Sequence, residues 1–153
     1  MQAHTLHTTT AFIRTALAGA VADGQPRWLR SVEVMNLLPS ILPGIRVTHE
    51  ERHTALLRDI LRASAETEWS LLRAGFAPEV VASVVRLTRF DAVVTYLDHI
   101  RAVAESNDLA AKRVAMAALH REERRAAAGP AEPEERRVRR HKAMALLQRG
   151  LGY

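Results

Sequence analysis

The chain has 153 residues, of which 48% are apolar and 5% aromatic, and its formal net charge is +5. That length suits one domain with an aliphatic core. The absence of cysteine excludes disulfides, thiolate metal centres and thiol catalysis. No run approaches the ~20 apolar residues of a membrane-spanning helix. Residues 1–10 lack the apolar stretch of a signal peptide. The expected location is therefore cytoplasmic, with no membrane partner.

Ala, Leu and Arg dominate, and these residues lose little side-chain freedom in a helix. Residues 1–10 are expected to form a flexible N-terminus, and residues 11–153 a single helical domain. Thr8, Thr9 and Thr10 read as the cap of a first helix over residues 11–22, ended by Asp23-Gly24-Gln25-Pro26. A second helix is expected over residues 29–38, before a loop marked by Pro39, Pro43 and Gly44. Thr48-x-x-Glu51 reads as a capping box opening a helix over residues 49–64. A short helix over 66–74 closes at Gly75. Pro78 starts the next helix, whose apolar stripe is Val80, Val81, Val84 and Val85. Helices follow over residues 92–106 and 109–127. Gly129 to Pro133 form a loop, and a last helix runs over residues 134–149, with Gly150 as its stop. The fold class expected is all-α, a bundle of about seven to eight helices.

Several stretches, taken in order, resemble the small RelA/SpoT-type HD-domain phosphohydrolases. Ala55-Leu56-Leu57-Arg58-Asp59 is similar to the family's Ala-Leu-Leu-His-Asp. Gly75-Phe76-Ala77-Pro78-Glu79-Val80-Val81 resembles Gly-Phe-x-x-Glu-Val-Val, and it leads to Leu87-Thr88-Arg89, similar to Leu-Thr-Lys/Arg. Tyr96-Leu97-Asp98-His99-Ile100 resembles Tyr-x-x-Tyr-Ile, and Arg140 to Leu147 resembles a C-terminal Tyr-Arg-Lys-Ala-Leu helix. The resemblance spans roughly residues 11–149. It implies the HD-domain bundle and hydrolysis of phosphorylated compounds, often nucleotides such as guanosine alarmones. It also implies a divalent ion held by a His, a His-Asp pair and a late Asp, which activates a water.

The ligand pattern departs from that family. Arg30-Ser31 stands where the first His is expected, and Arg58 where the His of His-Asp is expected; only Asp59 remains. Ala118 lies in the stretch that should carry the late Asp, and Arg62-Ala63 replaces a Glu-Asp pair. A guanidinium stays protonated and cannot ligate a metal. The expectation is therefore a catalytically inactive module without metal or cofactor, in which Arg30, Arg58, Asp59 and His53 form a site for a nucleotide or another phosphate-bearing ligand. In this reading Arg30, on another helix, pairs with Asp59 better than the adjacent Arg58 does. The alternatives are a residual metal-dependent phosphohydrolase acting on nucleotides, with His53 or His120 as replacement ligands, and a protein-interaction module whose old pocket is closed.

Other constellations are weaker. His49-Glu50-Glu51-Arg52-His53 matches the zinc-protease pattern His-Glu-x-x-His, but it begins at a cap and no third ligand follows at a suitable spacing. His4-x-x-His7 reads as part of a frayed terminus. Asp98 and His99 are neighbours on a helix and do not form a dyad. The basic runs Arg121 to Arg125 and Arg136 to Lys142 are interleaved with or flanked by Glu and carry no aromatic for base stacking. They read as solvated faces, and nucleic acid is not the expected partner.

Overall fold

The computed structural model describes residues 3–41, 44–91 and 93–152. Its first helix, α1 (Leu6–Ala16), starts earlier than the threonine run suggests. The cap is Thr5, whose hydroxyl accepts from the Thr8 amide at 3.1 Å, while Thr8 Oγ1 accepts from the Thr5 amide at 2.9 Å. Thr9 is fully buried inside α1, and His4 stacks on Phe76 with ring centroids 4.0 Å apart. Residues 3–10, expected as a flexible N-terminus, thus carry the cap and first turns of α1.

Asp23-Gly24 ends no helix. It is the two-residue turn of a small antiparallel hairpin, β1 (Val21–Ala22) and β2 (Gln25–Pro26). Both turn residues have positive φ, 53° and 75°, as a hairpin of right-handed twist requires. Next, α2 (Arg27–Ile41) runs through Pro39. The ring sits in the last turn, so it removes a single terminal hydrogen bond and the helix tolerates it. The expected loop residue Pro43 lies outside the described residues.

Thr48 caps α3 (His49–Leu57) by accepting from the Glu51 amide at 3.1 Å. The other half of the expected capping box is not made, because the Glu51 carboxylate turns inward. The helix expected over residues 49–64 breaks at Arg58-Asp59 and resumes as the single turn α4 (Ile60–Ala63). Then come α5 (Glu68–Arg73), α6 (Pro78–Leu87), α7 (Tyr96–Glu105), α8 (Leu109–Ala128) and α9 (Glu134–Gly150). The described residues thus contain nine helical segments, and eight once the single turn α4 is set aside. The fold is all-α apart from the hairpin.

The core is aliphatic throughout. Ile13, Leu56, Leu71 and Val84 join α1, α3, α5 and α6. Val103, Ala111, Ala143 and Leu147 join α7, α8 and α9. Val34, Leu38, Ala55, Val114 and Ala117 form a middle layer that locks α2 and α3 against α8. Each basic run turns one arginine inward. Arg121 bonds Glu33 at 2.6 Å, and Arg140, 4% exposed, clamps Glu123 and Glu132, both at 2.5 Å, tying α9 to α8 and its preceding loop.

Gly150 is not the helix stop; α9 continues through it, caps at Leu151 and leaves at Gly152, whose φ is +90°. Gly150 is instead a close-approach residue. A Cβ there would overlap the Ala104 carbonyl oxygen of α7 and lie 3.0 Å from the Ala104 Cα. Both obstacles are backbone, so neither can yield cheaply. Gly150→Ala is expected to lower stability by about 1–3 kcal/mol through displacement of α9, read as a lower denaturant midpoint at unchanged slope. An unaltered midpoint would show that α9 has room to slide.

Candidate functional site

The break between α3 and α4 positions the site. Asp59 has φ −95° and ψ −2°, between the helical and extended basins, and this offset turns both it and Arg58 toward one cavity. The cavity measures about 270 Å³. Arg27 and Arg30 reach it from α2, Arg62 from α4, Arg89 from the loop after α6, Tyr96 and His99 from α7, and Ala118 and Glu122 from α8. Five guanidiniums thus face two carboxylates, an excess of three positive charges.

Asp59 is only 9% exposed. Its carboxylate lies 3.4 Å from Arg58 Nη1 and 4.0 Å from Arg27 Nη1. Arg30 does not pair with it; it lies 3.8 Å from Glu122 Oε1. The expectation that Arg30 is the better partner is therefore corrected. That argument assumed Arg58 and Asp59 to be consecutive residues of one continuous helix, and the helix is interrupted there. The ion pairs are also loose. Arg58 Nη1 and Asp59 Oδ2 are both buried and make no hydrogen bond. Arg62 takes part in none of the ion pairs among the described residues, and Arg89 Nη1 donates to the Val94 carbonyl at 3.2 Å.

The electrostatics follow from this crowding. Burial, then the neighbouring Arg58, pushes the Arg30 guanidinium below its ordinary value, against the pull of Asp59. Burial, then Glu122, raises the Tyr96 hydroxyl to about 12, so it is a neutral donor at physiological pH. Burial lowers the His99 imidazole, whose Nε2 lies 3.1 Å from the Leu87 carbonyl and donates to it. The site is thus a set of hydrogen-bond donors with a positive field.

A divalent metal does not fit the donor set. One carboxylate, already between two arginines, is the sole survivor of the ligands that the resemblance implies. Among the described residues no three His, Asp or Glu side chains come together to hold an ion. Yet the positions that the resemblance assigns to those ligands, Arg30, Arg58, Asp59 and Ala118, all line this one cavity, as does Arg62. His53 does not line it. That imidazole faces α1 and bonds Thr9 Oγ1 at 2.8 Å. His120 does not line it either.

Sequence reasoning missed Arg27, Arg89, Tyr96, His99 and Glu122. Arg89, Tyr96 and His99 stand inside stretches that carry the resemblance, which was the available signal. Arg27 and Glu122 had none. A second cavity of about 440 Å³ adjoins the first, shares Arg30 and Glu122 with it, and adds Arg125, Arg136 and Arg139 among its walls.

Comparison with protein-family models gives no match to this chain, and comparison with curated proteins gives no significant match. No helix among the described residues is long and apolar enough to cross a membrane.

Proposed function

We propose that the chain is a non-catalytic binding module that takes a phosphate-bearing ligand, such as a nucleotide, in the arginine-lined cavity. The observation that carries this reading is the ring of five guanidiniums around about 270 Å³ with only two carboxylates to balance them. Guanidinium forks match phosphate oxygens in pairs, and charge-assisted bonds of this kind are the strong ones. The cavity suits a phosphoryl group, and the adjoining cavity leaves room for the rest of a larger ligand. The convergence of Arg30, Arg58, Asp59, Arg62 and Ala118 supports descent from an HD-domain phosphohydrolase, with arginines in place of the ion. The setting we infer is the cytoplasm, where nucleotides are abundant.

Calorimetric titration with inorganic phosphate and with guanosine and adenosine nucleotides tests the reading. Saturable binding is expected, weakened about tenfold in Arg62→Ala, since one charge-assisted bond contributes roughly 1.5–3 kcal/mol. Arg62 is exposed and makes no ion pair among the described residues, so the variant should fold normally. No binding by the parent, or equal binding by the variant, would overturn the proposal. Steady phosphate release that requires added Mn²⁺ would instead favour the hydrolase alternative.

A further inference from the structure

Apart from the arginine cavity, a small cavity of about 120 Å³ is walled by His4, His49, Glu50, His53 and Phe76. His49 and His53 stand one turn apart on α3. Their Nε2 atoms approach to 2.7 Å, and their ring centroids are 4.1 Å apart. Two imidazole nitrogens this close cannot both point bare lone pairs at each other. Either a proton or another electrophile must lie between them.

The His53 ring is held from its other side. Its Nδ1 lies 2.8 Å from Thr9 Oγ1 on α1. A threonine hydroxyl can accept as well as donate. When it accepts from Nδ1–H, the His53 Nε2 carries a lone pair that accepts from His49 Nε2–H; His49 is exposed, and moving its proton to Nδ1 frees its own Nε2 for an ion. Thr9 then acts as the outer partner that fixes a ligating imidazole in place. His53 is 4% exposed, and its ring is fixed between Thr9 and His49. His4 is committed elsewhere, with its Nε2 2.7 Å from the Ala74 carbonyl.

We propose that His49 and His53 form a two-imidazole site for a late transition-metal dication, of the class of Zn²⁺, Ni²⁺ or Cu²⁺. Imidazole suits these ions, and two His one helical turn apart can turn both Nε2 atoms to one ion, which would take the place of the proton now between them. No third protein ligand converges among the described residues, so water completes the shell. The site is open, and it is weaker than a closed four-ligand centre. It bears on α1, which a bound ion would pin to α3 through Thr9 and His53.

The test uses the full metal-free chain titrated with Ni²⁺ and Zn²⁺ by calorimetry, alongside thermal unfolding. One equivalent should bind and raise the unfolding midpoint, since an ion that binds only the folded state stabilises it by mass action. His49→Ala should weaken binding about tenfold or more, with the metal-induced shift read against the variant's own metal-free midpoint, because His49 also bonds the buried His53. His7→Ala should bind like the parent. Absence of saturable binding, equal affinity in His49→Ala, or loss of binding in His7→Ala would overturn the site; the last would mark an adventitious N-terminal ion only.

Discussion

Arg113→Met is expected to destabilise the fold by about 3–5 kcal/mol, the largest effect of any single substitution considered for this protein. Arg113 Nη1 donates to Glu51 Oε1 at 2.6 Å, bridging α8 to the first turn of α3. The glutamate side chain is 3% exposed and the arginine 12%. Glu51 Oε2 and Arg113 Nε are buried without partners, so this pair is already imperfectly satisfied. Removing the arginine leaves a carboxylate that neither water nor another donor reaches. Removing both charges is different, since an apolar pair of similar volume avoids two desolvation penalties. Denaturant unfolding of Arg113→Met, Glu51→Leu and the double variant measures this. The double variant should recover most of the loss. A double variant as unstable as the sum of the singles would mean that the two side chains are not coupled, and would overturn this account.

This pair also shows why some of the structure was legible in the sequence and some was not. Thr48-x-x-Glu51 correctly marks the start of α3, because the Thr48 cap is a local interaction. What the glutamate does is not local; its partner is 62 positions away. The same division recurs. The bounds of α8 follow from Asp108, which accepts from the Ala111 amide at 3.0 Å, and from Gly129-Pro130 beyond it. The α3–α4 break was hidden, because Ala55 to Leu61 keeps an apolar pattern compatible with an unbroken helix. The break brings Arg58 and Asp59 to one cavity, which no local pattern announces. At the N-terminus the threonine run pointed to a cap at Thr8–Thr10, yet Thr9 is drawn inside by His53 and Thr10 Oγ1 bonds back to the Leu6 carbonyl at 2.7 Å. For the site, the order of motifs brought Arg30, Arg58 and Asp59 together. It failed for His53, because a face of α3 turned toward α1 cannot also face α2 and α8. Arg27 and Glu122 are common residue types on separate helices, and no spacing rule joins them.

Asp59→Asn should tighten phosphate binding about tenfold, the opposite of what loss of a ligand residue does in a metal hydrolase. In the parent the Asp59 carboxylate occupies part of the positive field, within 4.0 Å of both Arg27 and Arg58. An incoming phosphate is repelled by it. At an effective dielectric near 20, two like charges about 5 Å apart repel by roughly 3 kcal/mol before screening, and about half of that surviving corresponds to tenfold. Asparagine keeps the size and removes the charge. The unliganded variant should be less stable than the parent, because Arg58 and Arg27 lose their counter-charge in a cavity that burial already makes costly for cations. Its unfolding midpoint should then rise more steeply with added phosphate, since ligand binding to the folded state alone offsets that loss. The two readouts together separate the readings. Lower stability with a larger phosphate response fits an anion site held in check by its own aspartate. Lower stability without any phosphate response fits arginines that only fill the space around Asp59. A hydrolase would declare itself by Mn²⁺-dependent phosphate release in the parent that Asp59→Asn abolishes, since the one remaining carboxylate ligand would be gone.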